Sequence, residues 1–162
     1  MSTMEQSFTK PGAHPAASAA HSRFVQRIRR RYEAELPLLP PGIPGRGAMQ
    51  TLIDQLQAGG RTLASSLRVC RHLVLERLAV ADIEQAAPMP AITEAMTTLA
   101  EVTLCAALRQ ARLEQDEING EPRNEAGEPI EFWVVGMGKL GGRELNVSSD
   151  IDLIYVLSLI HI

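Results

Sequence analysis

Apolar residues recur through the middle of the chain with the spacing of a helix. Leu63, Leu67, Cys70, Val74, Leu78 and Ala81 are separated by steps of 4, 3, 4, 4 and 3, which is one face of an α-helix. Arg68, Arg71, Glu76 and Arg77 decorate the remainder. After a break at Pro88–Pro90 a second stripe follows: Ile92, Met96, Leu99, Val102 and Ala106, widened by Leu104 and Leu108. The pattern predicts two long helices paired antiparallel across a proline turn. Upstream, residues 22–36 (SRFVQRIRRRYEAEL) predict a short helix with Ser22 as cap. The Pro/Gly stretch 37–47 cannot continue it, and a second short helix is expected over 48–58. Residues 1–21, rich in Ala, Ser, Pro and Gly, are expected to be disordered.

The pattern changes after a polar loop at 119–130. Phe132-Trp133-Val134-Val135 is a short apolar run ending in glycine, which reads as a buried strand. A second β-rich run covers 151–157, expected to begin at Asp150-Ile151-Asp152-Leu153. The expected class is therefore α+β: a helical region over 22–118, then the first strands of an α/β domain over 131–157.

Bulk composition narrows the function classes. A chain of 162 residues has room for one ordinary domain. Its 4% aromatic content, with much Ala and Leu, favours helix over β-sandwich. The net charge of −3 excludes a generally basic nucleic-acid coat. The Arg27–Arg31 run reads as a solvated helix face, so no nucleic-acid partner is expected. Cys70 and Cys105 lack metal-type spacing and read as buried reduced thiols. His14, His21, His72 and His161 show no ligand spacing, and no zinc site is expected. Tyr32 and Tyr155 read as packing residues. No apolar run reaches the roughly 20 residues that span a bilayer, and the N-terminus lacks the form of a secretory signal. The expected setting is cytoplasmic, with no membrane partner.

Between the two β-type runs lies GMGKLGGRELNVSSDID, residues 136–152. Gly136-x-Gly138-x-x-Gly141 matches a dinucleotide-binding fingerprint. However, Asn146, Ser148 and Ser149 end any helix after about two turns, and the acids open the next strand instead of closing it. A dinucleotide-binding oxidoreductase therefore stands as an alternative only. A phosphate loop of the ATPase kind fails, because Gly138-Lys139 is followed by Leu140. Taken whole, the stretch predicts a strand, a glycine turn opening a short helix, and a second strand starting Asp-x-Asp. Strand alternation would put the Asp150 and Asp152 carboxylates on one face, with Ile151 and Leu153 toward the core. Two adjacent carboxylates without a basic neighbour suit a hard divalent cation such as Mg²⁺. Gly136, Gly138, Gly141 and Gly142 allow backbone N–H groups to approach phosphate, aided by the helix N-terminus. Ser148 and Ser149 can donate to phosphates, and Lys139 and Arg143 supply positive charge. The parts suit nucleotidyl transfer. The plainer alternative is a glycine turn and an aspartate-capped strand on a non-catalytic helical interaction module.

The segment FWVVGMGKLGGRELNVSSDIDLIY closely resembles the first nucleotidyltransferase domain of the bacterial glutamine synthetase adenylyltransferase/adenylyl-removing family, within the polymerase-beta-type nucleotidyltransferases. The dense match covers about 24 residues, and RHLVLERLAVADI (71–83) resembles the helical region that precedes those strands. Gly138-Lys139 stands where the superfamily has Gly-Ser, a departure typical of this family. The SSDIDL form resembles the first of the family's two such domains. The resemblance implies removal of AMP from adenylyl-tyrosine of glutamine synthetase by phosphate, releasing ADP. Transfer of AMP from ATP would belong to the second domain. It further implies Asp150 and Asp152 as catalytic metal ligands for Mg²⁺ (or Mn²⁺). Gly138, Lys139, Gly141, Gly142 and Ser149 would cradle phosphate or nucleotide, and Arg143 and Glu144 are assigned no distinct role. Implied partners are glutamine synthetase and the PII nitrogen regulatory protein. The family site needs a third carboxylate from a later strand, and the family is several times longer. The chain is thus expected to be a truncated fragment, inactive alone, with a foreign tail from about Val156 or Leu157.

Overall fold

The computed structural model describes residues 17–158. Four helices form one apolar core, and a two-stranded hairpin follows them. Helix α1 spans Arg23–Arg31, with the Ser22 side chain accepting from Val25 N. Helix α2 spans Arg46–Ala58, α3 Leu63–Gln85 and α4 Met89–Asn119. Thr62 caps α3 through the Ser65 N–H. Only three residues join α3 to α4. Ala86 there adopts φ 49°, and Pro90 sits in the first turn of α4, where its missing N–H costs nothing. The start of α3 lies against the later turns of α4, Leu63 facing a cleft with Val102 and Arg109. The pair is therefore antiparallel, as the two stripes predict.

The core is broader than the α3 stripe. Leu73 and Leu75 are buried beside Cys70, Val74 and Leu78, because α1, α2 and α4 all pack on α3. Burial pushes the Cys70 thiol up to about 12. Cys105, expected to be buried, is exposed; it borders an open cleft between α2 and α4. By length and composition α4 is apolar enough to cross a bilayer. Its residues Ile92, Met96, Leu99 and Val102 are instead buried in the helical core.

Glu76 of α3 is completely buried among these residues. Its carboxylate accepts from Arg29 Nε and Arg77 Nη1, each at 2.7 Å. Arg77 also donates to the carbonyls of Leu36, Leu39 and Pro40. The proline stretch, which has few backbone donors, is thereby fixed on α3. Arg29, within the run expected to be solvated, has an internal partner. Tyr32 is a packing residue, 8% exposed, with its hydroxyl 3.1 Å from His72 Nδ1. Burial lowers the His72 pKa, opposed by a hydrogen bond to the Arg68 backbone and reinforced by Arg71, Arg31 and Arg27.

Part of the 1–21 segment departs from the disorder expected of it. Ala19 is buried, and its N–H donates to Glu84 Oε1 at 2.9 Å; residues 1–16 lie outside the described residues.

Strand β1 (Phe132–Gly136) pairs antiparallel with β2 (Leu153–Leu157), from Phe132↔Leu157 to Gly136↔Leu153. Val156 and Leu157, where a foreign tail is expected to start, pair with Trp133 and Phe132; residues 159–162 lie outside the described residues. Tyr155, expected to pack, is 64% exposed and stacks on Phe132 at 5.7 Å between ring centroids. Beyond β1 the chain turns through α5, the single turn Gly138–Gly141. Leu140 of that turn is buried and folds back over Gly136, where a Cβ would stand 2.7 Å from Leu140 Cγ. At Gly141 a Cβ would stand 2.5 Å from the Gly136 carbonyl oxygen. Both glycines are required by close approach, and the second meets backbone that cannot swing aside.

Two outcomes follow for stability. Glu76→Ala leaves two guanidiniums without their buried partner and should lower unfolding free energy by about 3 kcal/mol, measured by urea denaturation. Glu76→Gln, which keeps an acceptor, should lose less. Gly141→Ala should cost about 2 kcal/mol through overpacking against backbone. Its nuclear magnetic resonance shift changes should centre on Gly136 and Leu140, with the α1–α3 core unchanged.

Candidate functional site

The glycine turn and the aspartate pair meet at the open end of the hairpin. Met137 N donates to the Asp152 carbonyl at 2.9 Å, one step beyond the last strand pair. Residues 15 positions apart in sequence thus become neighbours, and Gly138, in left-handed conformation at φ 52°, starts the turn directly after Met137. Lys139, Gly141 and Gly142 follow on the exposed side. Because α5 is four residues long, it offers little of the dipole expected of a helix N-terminus.

The return path is held by Asn146. Its side-chain oxygen accepts from Ser149 Oγ at 2.8 Å and from the Ser148 N–H and hydroxyl. Ser149 N donates to the Asn146 carbonyl. The serine hydroxyls expected to face phosphate are thus engaged within their own turn, an Asx arrangement.

Asp150 and Asp152 do not lie in a strand. Strand β2 starts at Leu153, because β1 ends at Gly136 and offers no partner opposite Asp150. The alternation expected to align the two carboxylates therefore does not operate. Ile151, expected in the core, is exposed, whereas Leu153 packs against it. Both aspartates are exposed, and neither has an ion-pair partner among the described residues. No group of three His, Cys, Asp or Glu side chains is gathered for a metal among the described residues. Two unpaired carboxylates are hard oxygen donors.

Arg143 takes a role that its sequence position did not reveal. It has φ 58°, uncommon for a residue with a side chain. Its guanidinium grips Glu94 at 2.5 and 3.1 Å and also bonds Glu101, both on α4. The hydrogen bond from Arg143 holds the Glu94 carboxyl below its usual range, and the two glutamates raise the Arg143 pKa. Nearby, the Leu145 N–H donates to the buried Thr97 hydroxyl at 3.4 Å, and Leu145 is itself buried. These contacts seat the loop on α4. The available signal was the Glu94/Glu101 spacing of seven residues, which repeats on one helix face.

A cleft of about 370 Å³ lies between this loop and the α3–α4 pair. Ser149 and Asp150 stand on one side, and Arg68 and Arg71 of α3 on the other. The two arginines are functional candidates that the sequence reading left as helix decoration.

Residues 17–159 match the model of the glutamate-ammonia ligase adenylyltransferase family. Several proteins named bifunctional glutamine synthetase adenylyltransferase/adenylyl-removing enzyme are similar. The Burkholderia mallei protein is 44% identical over 117 residues, covering 68% of this chain and 13% of the relative. The Ralstonia nicotianae protein is 37% identical over 155 residues, covering 90% and 16% respectively. The Bordetella pertussis protein is 46% identical over 89 residues, covering 54% and 10%. The chain thus spans less than a fifth of the length of these relatives. With a matching family model over most of its length, the chain belongs to the glutamate-ammonia ligase adenylyltransferase family of nucleotidyl-transferring enzymes.

Proposed function

We propose that this chain supplies the helical support and first strand pair of an adenylyl-removing nucleotidyltransferase site acting on glutamine synthetase. The observation that carries the reading is the Met137–Asp152 hydrogen bond, which sets the glycine turn beside two unpaired carboxylates in a chain of this family. In the proposed reaction, an oxygen of inorganic phosphate attacks the adenylyl phosphorus. The bond from phosphorus to the tyrosine oxygen breaks, ADP forms, and the tyrosine oxygen ends protonated. Asp150 and Asp152 would hold Mg²⁺ (or Mn²⁺), which when bound neutralises charge on the phosphate oxygens. Gly138 leaves room for phosphate against the exposed backbone, Lys139 contributes positive charge, and Gly141 and Gly142, whose N–H groups donate to the Met137 and Gly138 carbonyls, shape the turn around it. Ser149 keeps the Asp150 approach in place through Asn146 and retains hydroxyl lone pairs to accept from substrate. Regulation through a PII-type protein and the ATP-dependent forward transfer belong to the same reading, carried by the rest of a full-length relative.

The metal assignment is testable on the chain itself. Mn²⁺ should selectively broaden the amide resonances of Met137, Gly138 and residues 150–152, and Asp150→Asn/Asp152→Asn should remove that broadening. Equal broadening in the double variant would refute the assignment. The 162-residue chain should release no ADP from adenylylated glutamine synthetase. Fused in frame to the remaining length of the Ralstonia nicotianae relative, it should release ADP dependent on phosphate and Mg²⁺. The double variant should lower that rate by about a hundredfold or more. Turnover by the isolated chain would refute its expected inactivity.

A further inference from the structure

Arg68 and Arg71 lie three residues apart on α3 and line the same cleft as Ser149 and Asp150. This i, i+3 spacing puts them on one helix face. Both are exposed. Of the fourteen arginines, six bind carboxylates and eight do not among the described residues; what marks this pair is its place on the cleft. Arg68 and Arg71 have no such partner among the described residues, although Asp150 borders the same space. Leu99, Val147 and Ile151 give the cleft a largely apolar floor.

This arrangement answers a question about charge that the glycine turn leaves open. A nucleotidyl-transfer site handles several phosphate charges, and Arg143, the most obvious cation of the motif, is bound by Glu94 and Glu101. Guanidinium groups recognise phosphate oxygens through paired N–H donors, and an unpaired couple at a cleft is free to do so. An apolar floor beside them suits a flat base.

We propose that Arg68 and Arg71 bind the phosphates of an adenine nucleotide in the cleft between α3 and the Ser149–Asp150 loop, with the base on the apolar floor. The inference rests on the nucleotidyl-transfer reading above. It makes the helical region one wall of the substrate site, so that a substrate spans both parts of the chain.

ADP, the product of the proposed reaction, is the probe. It is titrated calorimetrically into the 162-residue chain with and without Mg²⁺, and into the Arg68→Gln/Arg71→Gln and Asp150→Asn/Asp152→Asn variants. Circular dichroism checks each fold, and adenosine serves as the phosphate-free control. The arginine variant should bind ADP more weakly by about tenfold or more, with and without Mg²⁺, while adenosine affinity stays the same. The wild-type arginine side-chain N–H resonances should shift with ADP and not with adenosine. ADP affinity unchanged by the arginine substitutions, or no ADP binding by the wild-type chain, would overturn the proposal. Loss of ADP binding in the arginine variant, combined with a failure of Mn²⁺ to engage the aspartates, would support this cleft and refute the metal-dependent reading. The two ideas can therefore fail separately.

Discussion

A carboxylate with no access to water sits at the centre of this chain. Glu76 is buried on α3 and is neutralised from two directions, by Arg29 of α1 and by its neighbour Arg77. A buried charge tolerates little displacement of its partners, since losing either leaves an ion in a low-dielectric interior. Arg77 also reaches three carbonyls of the proline stretch, whose backbone has few donors of its own. Glu76 and Arg77 together therefore lock α1, α3 and the intervening loop. The consequence passes along the chain: α3 fixes α4 through apolar packing, and α4 carries the polar groups on which the hairpin loop rests.

Attachment of the loop is divided between kinds of contact with different ranges. Leu140 and Leu145 bring apolar surface into the core. Thr97 satisfies a single backbone N–H. Arg143 spans two glutamates on α4 at an exposed position, where solvent screens the attraction; its geometry orients the loop more than it stabilises the protein. The hairpin itself is short. A two-stranded ribbon gains its stability from what it packs against, and here much of its apolar surface stays exposed, at Trp133, Val135, Ile154 and Tyr155, against the expectation of a buried strand.

The helices were legible because their signal is periodic and local. The α3 and α4 stripes, the Ser22 cap and the proline break all follow from side-chain spacing or backbone chemistry within a few residues. The glycine turn was legible for a related reason, since Gly136 and Gly141 answer a steric demand inside a six-residue stretch. What escaped was long-range. Nothing local distinguishes Glu76 from a solvent-facing helical glutamate, or Arg29 from its neighbours in the basic run. The start of β2 depends on where β1 stops, so Asp150 and Asp152 read as strand when they form its irregular approach. Cys105 is expected inside because its neighbours are apolar, and Ile151 because strand alternation turns it away from the aspartates, yet both are exposed. The two arginines facing Asp150 come from a helix that the motif does not include.

Arg143 presents the backbone and the side chain with opposite preferences. At φ 58° a glycine would relieve the local conformation, yet glycine has nothing to offer Glu94 or Glu101. An arginine accepts a less comfortable backbone and ties the turn to α4. A relative with glycine here would keep Leu140, Leu145 and the Thr97 hydrogen bond as ties between loop and helices and lose only the polar tie that orients the loop. In such a relative Glu94 loses its partner, whereas Glu101 keeps Arg46, so positions 94 and 143 are the two expected to vary together.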